Sequence, residues 1–281
     1  MSEECHSKSR SVFVTGATSG IGLATANLLR DTGFRIFGGV EPGESADALA
    51  ATGAELVSLD VTDPSSLKAA CREVGMLLRG APLWGLVNCA GVVAAGPIEM
   101  HDMDEARHLF DVNVLGVLAT SQVFLPLIRE ARGRIVNISS LSGLLAVPFL
   151  GPYNASKAAI EALSDTMRRE LRPLGVGVVA IQPGATRTPM WDKAEAIDLA
   201  PYRGSAYEAA VGRVKRKAVR KGRKGQPPQR VAEAILHALT AARPPSRIRV
   251  QRRRASRLFY ALLPLIPDRM IDRKVEEIVW K

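Results

Sequence analysis

The chain has 281 residues, 47% of them hydrophobic, enough for a sizeable core in one large or two small α/β domains. Three cysteines, Cys5, Cys71 and Cys89, are too few and too scattered for a disulfide frame or a metal site, so no metal is expected and the compartment is read as reducing and intracellular. The net charge of +10 averages two unlike parts: residues 1–200 carry 17 Lys+Arg and 22 Asp+Glu, residues 201–281 carry 21 and 6.

Residues 1–10 read as a polar tail with no secretory signal. No apolar run reaches the roughly 18 residues expected of a bilayer span. Residues 11–15 form a short β-type run that leads straight into Gly16-Ala17-Thr18-Ser19-Gly20-Ile21-Gly22 and then an apolar-periodic helix. Strand, glycine turn and helix are the context of a dinucleotide-binding turn. Gly16 permits the tight turn, Gly20 lets backbone approach a pyrophosphate, and Gly22 lets helix and strand pack. Residues 34–40 read as the second strand. Glu41 follows it with no Lys or Arg beside it, so a ribose 2′-phosphate would meet a carboxylate and no cation. NAD is therefore favoured over NADP.

Residues 55–61 read as strand three, with Thr62 or Asp63 capping a helix that has Pro64 near its first position. Residues 84–91 are strand four, ending in the small-residue turn Asn88-Cys89-Ala90-Gly91. A helix over about 104–127 contains Asn113, and residues 134–140 are strand five, ending at Ser139-Ser140. The next helix opens on Gly151-Pro152-Tyr153-Asn154-Ala155-Ser156-Lys157. Tyr153 and Lys157 share one helix face. An ammonium beside a phenol favours the phenolate, and such a tyrosine can exchange a proton with an alcohol or a carbonyl. Residues 176–182 are strand six, stopped by Pro183-Gly184. Residues 188–228 break the rhythm and read as a substrate-side insertion. Residues 229–242 are helical, and 247–250 read as a last strand. Residues 251–281 form a basic amphipathic extension that mixes arginines with Leu258, Phe259, Leu262 and Leu265. Alternating strands and helices imply an α/β fold: one Rossmann domain over 11–250, a doubly wound parallel sheet with helices on both faces.

Taken together, the chain resembles the short-chain dehydrogenase/reductase superfamily. Thr15-Gly16-x-x-x-Gly20-Ile21-Gly22 is similar to its cofactor turn, Asn88-Cys89-Ala90-Gly91 to its Asn-x-Ala-Gly motif, and Asn113, Ser140, Tyr153 and Lys157 to its catalytic tetrad. Pro183-Gly184 followed by Thr188 resembles the loop that holds the nicotinamide amide. The segments 84–88, 124–129 and 133–140 look like the branch of retinol, 17β-hydroxysteroid and 3-hydroxybutyrate dehydrogenases.

The resemblance implies an NAD(P)-dependent oxidoreductase that interconverts an alcohol with its ketone or aldehyde, on a lipophilic, steroid- or retinoid-like substrate. Tyr153 would exchange the proton and Ser140 would hold the substrate oxygen. Lys157 would bind the nicotinamide ribose and lower the Tyr153 pKa, and Asn113 would hold a water in a proton path. Ser19, Ile21, Glu41, Asp60, Val61, Asn88, Ala90, Gly91 and Thr188 complete the expected cofactor contacts. Asp60 reads equally as a capping acid. Met190 and Trp191 read as substrate contacts, with filling of the gap under the insertion as the alternative. A homodimer or homotetramer is implied by the family.

Other readings are a hydroxy-acid or polyol dehydrogenase, or a catalytically idle cofactor-sensing protein. The basic extension reads as a solvated face or a peripheral contact with an internal membrane surface. No nucleic-acid fold accompanies it, so no nucleic acid is expected.

Overall fold

The computed structural model describes residues 10–252 and 254–280; residues 1–9 of the polar tail lie outside the described residues. The chain runs β1 (Ser11–Val14), α1 (Gly20–Asp31), β2 (Arg35–Val40), α2 (Asp47–Ala50), β3 (Glu55–Ser58), α3 (Pro64–Leu78), β4 (Leu83–Asn88), α4 (Met103–Phe110), α5 (Gly116–Ala131) and β5 (Arg134–Ile138). It continues with α6 (Gly151–Leu171), β6 (Gly177–Pro183), α7 (Met190–Ala196), α8 (Glu208–Arg223), α9 (Gln229–Thr240), β7 (Arg247–Val250), α10 (Arg254–Leu262) and α11 (Asp268–Val279).

The strands form one seven-stranded sheet in the order β3-β2-β1-β4-β5-β6-β7, with every pairing parallel. Alternation along β1 divides the core in two. Phe13 points to the α3/α5/α6 face, where it stacks on Phe124 with ring centroids 4.5 Å apart. Val12 and Val14 point to the opposite face, beneath α1 and α9. Both faces are covered, which is why the strands read as apolar runs and not as alternating ones. Parallel strands put all their carboxyl ends on one edge, and the order reverses between β1 and β4. That switch point is where a doubly wound sheet leaves its crevice.

Local signals place the elements. Asp63 caps α3, accepting from the Ser65 and Ser66 amides, with Pro64 in the first turn. The helix predicted over 104–127 is longer, a run from Met103 to Ala131 interrupted by a wide π-turn over Asp111–Leu115. By length and composition this run would suffice to cross a membrane. Here it packs on the sheet through Phe124 and Ile128, and Asn88 Nδ2 donates to Ser121 Oγ at 3.0 Å. The His101 ring, just ahead of this run, is buried.

Candidate active site

The glycine turn leaves β1 and feeds α1. Gly16 (φ +58°) and Gly20 (φ +54°) occupy the left-handed region. A Cβ on Gly16 would fall 2.8 Å from Ala90 Cα, and one on Gly22 would fall 2.1 Å from Gly16 O. Any side chain would therefore push the turn off β4 or off α1. Ser19 is extended and contributes no side-chain cap, and the first turn of α1 carries no acidic residue. Its N–H groups, at the positive end of the helix dipole, fit a pyrophosphate. Ile21 is half-buried on the core, and its carbonyl accepts from Thr25 Oγ1. Thr15 Oγ1 accepts from the amides of Cys89 and Ala90, both at 3.0 Å, and so pins this turn to the end of β4.

Asn88, Asn137 and Ser164 form a buried ladder beneath the crevice: Asn88 Nδ2 donates to Asn137 Oδ1 at 2.8 Å, and Asn137 Nδ2 to Ser164 Oγ at 2.9 Å. It ties β4, β5 and α6 together.

The four residues of the expected tetrad come from three elements, the π-turn, the loop after β5 and α6, and two of them, Asn113 and Lys157, meet beside Gly91. Asn113 lies in the π-turn, fully buried. Its Oδ1 accepts from Val92 N at 2.8 Å, while its Nδ2 donates to Val92 O at 2.9 Å and Ser156 Oγ at 3.2 Å. The added residue of a π-turn turns this side chain inward, a use such turns often serve at functional sites. A Cβ on Gly91 would lie 3.1 Å from Asn113 Oδ1 and 3.6 Å from Lys157 Nζ. Lys157 Nζ donates to Ile138 O at 3.1 Å and stands 5.7 Å from the centre of the Tyr153 ring. Ser140 heads the loop after β5, where its Oγ accepts from Ser142 N.

The electrostatics differ from the sequence expectation in one respect. Burial is the dominant influence on Tyr153 and raises its pKa above the ordinary tyrosine value, with a hydrogen bond from Ser140 opposing it. The expected lowering by Lys157 is not among the influences that set it. Lys157 itself is pulled down to about 8 by burial, with Cys89 pulling the other way. The Cys89 thiol is pushed up to about 12, which makes it an inert small side chain.

The remaining predicted residues divide. Pro183 ends β6, and Gly184 N donates to Val250 O at 2.9 Å, holding the Pro-Gly turn at the crevice edge. Thr188 Cγ2 would lie 3.1 Å from a Cβ on Gly20, so the start of the insertion rests on the glycine turn. Val61 packs against Gly116. Asp60 accepts from Thr62 N and Thr62 Oγ1, a local turn, and the helix cap falls to Asp63. Glu41 is exposed after β2. The carboxylate that reaches the glycine turn is Glu44, which accepts from Thr18 Oγ1 at 2.6 Å; sequence reasoning passed over it because nothing in the spacing marks it.

Trp191 stands where gap-filling would put it and not as a free pocket wall. Its indole lies against Gly222 of α8, and its Nε1 donates to Thr186 O at 2.7 Å; Met190 beside it is half-buried. Ser156 was also missed, although it sits three residues after Tyr153 on the face that meets Asn113.

A glycine cradle at a switch point, with a tyrosine, a lysine, a serine and an asparagine converging beside it, defines an NAD(P)-dependent oxidoreductase of the Rossmann class. The chain belongs to the short chain dehydrogenase family, whose model matches residues 10–198. It is 35% identical over 273 residues to the NADPH-dependent 3-dehydrocapnine reductase of Ornithobacterium rhinotracheale, covering 94% of this chain and 95% of that protein. It is 34% identical to mouse retinol dehydrogenase 16, covering 95% and 88%. A 40% identical stretch of 184 residues matches the 3-amino-tetrahydro-pyrrolizinone reductase of Xenorhabdus hominickii, covering 66% of this chain and 64% of that protein. Among solved structures, a short-chain dehydrogenase from Streptomyces avermitilis superposes with a TM-score of 0.76 at 30% identity, covering 97% and 96% of the two chains.

Proposed function

We propose that this enzyme interconverts a lipophilic alcohol and its carbonyl, using NAD. The nicotinamide cofactor supplies or accepts the hydride when bound. The chain's own residues then have a proton to manage and a substrate to hold. Tyr153 Oη is the atom that takes the hydroxyl proton in oxidation and returns it in reduction. Ser140 Oγ holds the substrate oxygen beside it. Lys157, whose Nζ lies 5.7 Å from the Tyr153 ring centre and borders Gly91, binds the ribose and keeps a positive charge near the phenol. Asn113 acts mainly by fixing Val92 and Ser156, because both ends of its amide are already engaged. The glycine turn, Asn88, Ala90, Gly91, Pro183, Gly184 and Thr188 hold the cofactor.

The observation that carries the lipophilic reading is a cavity of about 720 Å³ between the β5–α6 loop and the carboxy-terminal extension. It reaches Gly151 and Asn154, in the turn that contains Tyr153, and its walls include Ile98, Val147, Phe149, Tyr260, Leu263 and Ile271. Aliphatic and aromatic side chains make up most of the lining, with Arg249, Asp268 and Asp272 as its charged part, and a site of that size and lining suits a largely apolar molecule with a polar group. The name of the retinol dehydrogenase relative agrees with it. For the cofactor, Glu44 reaches the turn and Glu41 follows β2, neither with a basic partner among the described residues, which favours NAD; the NADPH-dependent relative is the reason to test both. Titration with NAD(H) and NADP(H), followed by reduced-nicotinamide absorbance with steroids, retinols, 3-hydroxybutyrate and aliphatic alcohols, tests the whole reading. Turnover only on short hydroxy acids or polyols would replace the substrate class. Cofactor binding with no turnover would replace the enzyme by a cofactor-sensing protein.

The extension also supports a peripheral membrane contact. Leu258, Phe259, Leu262, Leu265 and Met270 are exposed and are not among the residues that line the cavity, in a segment rich in arginine. Equal pelleting with anionic vesicles by the full chain and by a chain ending at Val250 would refute this contact. Assembly as a dimer or tetramer belongs to the same proposal.

A further inference from the structure

The insertion holds a second cleft that this chemistry leaves unused. It lies between α7 and α8, has a volume of about 360 Å³, and is lined by Glu195, Lys215, Arg216, Arg220, Arg223 and Lys224 around Val219. Its walls are keyed together. A Cβ on Gly222 of α8 would fall 2.0 Å from the Trp191 ring of α7, so the two helices meet backbone against indole. Arg223 bridges back to Asp192 and Glu195, which engages both acids of α7. Lys215 is likewise engaged, donating to Ile197 O.

What remains in the cleft is Arg216, Arg220 and Lys224, spaced i, i+4 and i+8 along one stripe of α8, with no anionic partner among the described residues. Arg252 adds a further guanidinium at the end of this helix, donating to Lys224 O at 2.9 Å. Like charges one helical turn apart repel. The negative end of the helix dipole offsets part of this for Arg220 and Lys224, but Arg216 lies two turns from that end. A preformed cleft with several unmatched cations, two of them guanidinium forks, has the donor geometry for a tetrahedral oxyanion.

We infer that the α7–α8 cleft binds a phosphate or sulfonate group, carried by a small-molecule ligand or by a lipid head group. The site stands independently of the substrate reading above. It also has a route to the cofactor turn, because α7 follows directly on Thr188, whose side chain rests against Gly20.

The test is calorimetric titration of the full chain with sodium pyrophosphate at constant ionic strength, with reduced cofactor present so that the glycine turn is filled. Saturable one-to-one binding is expected, weakened at least tenfold in Arg216→Gln/Arg220→Gln. It should stay within twofold in Lys221→Gln, on the same helix but outside the cleft. A parallel arm measures pelleting with phosphatidylglycerol and phosphatidylcholine vesicles. Pyrophosphate binding lost in the double variant assigns a soluble phosphate ligand. Phosphatidylglycerol pelleting lost in the double variant, with pyrophosphate too weak to measure, assigns a head group. The inference is overturned if the double variant behaves as wild type in both arms, or if Lys221→Gln loses as much, since a diffuse basic field would then account for everything. Circular dichroism confirms that the variants fold.

Discussion

Removing the Asn113 amide tests whether this residue acts through the backbone it holds. Asn113→Ala leaves Val92 N–H and Val92 C=O without their partner, and takes one donor away from Ser156 Oγ. Ser156 keeps its own donation to Tyr153 O at 2.8 Å, so its loss is small. Val92 is half-buried, which puts each of its two orphaned groups near the low end of the cost of an unpaired buried polar group, about 1 kcal/mol. The emptied volume at a fully buried position adds about 1 kcal/mol. The sum is about 3 kcal/mol, a fall of roughly 5 °C in Tm for a chain of 281 residues. Asn113→Leu refills the volume but restores no hydrogen bond, so it should still lose about 2 kcal/mol. Urea unfolding followed by circular dichroism measures both, and turnover should fall with them as Val92 and Ser156, the neighbours of Gly91 and Lys157, lose their support. If both variants unfold within about 0.5 kcal/mol of wild type, the hydrogen-bond accounting is wrong, since that is the range of ordinary surface changes.

Three further outcomes are expected. Tyr153→Phe should lower turnover by at least about 10²-fold, the low end for a lost general acid–base, while cofactor affinity measured by reduced-nicotinamide fluorescence changes less than twofold. Lys157 holds its proton to an ordinary 10.5 when unfolded and to about 8 when folded, so the unfolded chain binds more protons between these values and stability rises with pH across that window. The rise should be about 2 kcal/mol from pH 8 to 10 in wild type relative to Lys157→Met. Taking that difference largely cancels the opposing fall from Cys89, whose raised pKa costs stability above its ordinary value. An identical pH slope in the two proteins would show that Lys157 is not desolvated. Glu41→Gln/Glu44→Gln should narrow the kcat/KM preference for NAD over NADP by about tenfold, the equivalent of 1.4 kcal/mol. An unchanged ratio would mean that neither carboxylate faces the ribose.

The sequence alone determined the elements whose signals are local. A glycine that must take positive φ, an Asp-Pro helix start and an apolar run each leave their mark within a few residues. The glycine turn, a helix cap at Thr62 or Asp63 and the order of the strands could therefore be read in chain order, as could the spacing of Asn113, Ser140, Tyr153 and Lys157, while the structure assigned the cap to Asp63. Interactions between segments far apart in the chain leave no such mark. Only the tertiary structure decided that Trp191 is spent on Gly222, that Glu44 and not Glu41 meets the glycine turn, and that Asn113 has both ends of its amide engaged. It likewise decided the sign of the Tyr153 shift. The spacing Tyr-x-x-x-Lys brings an ammonium near the phenol, but the depth at which the fold buries both is a property of the whole sheet and its helices, and desolvation is the largest influence on each.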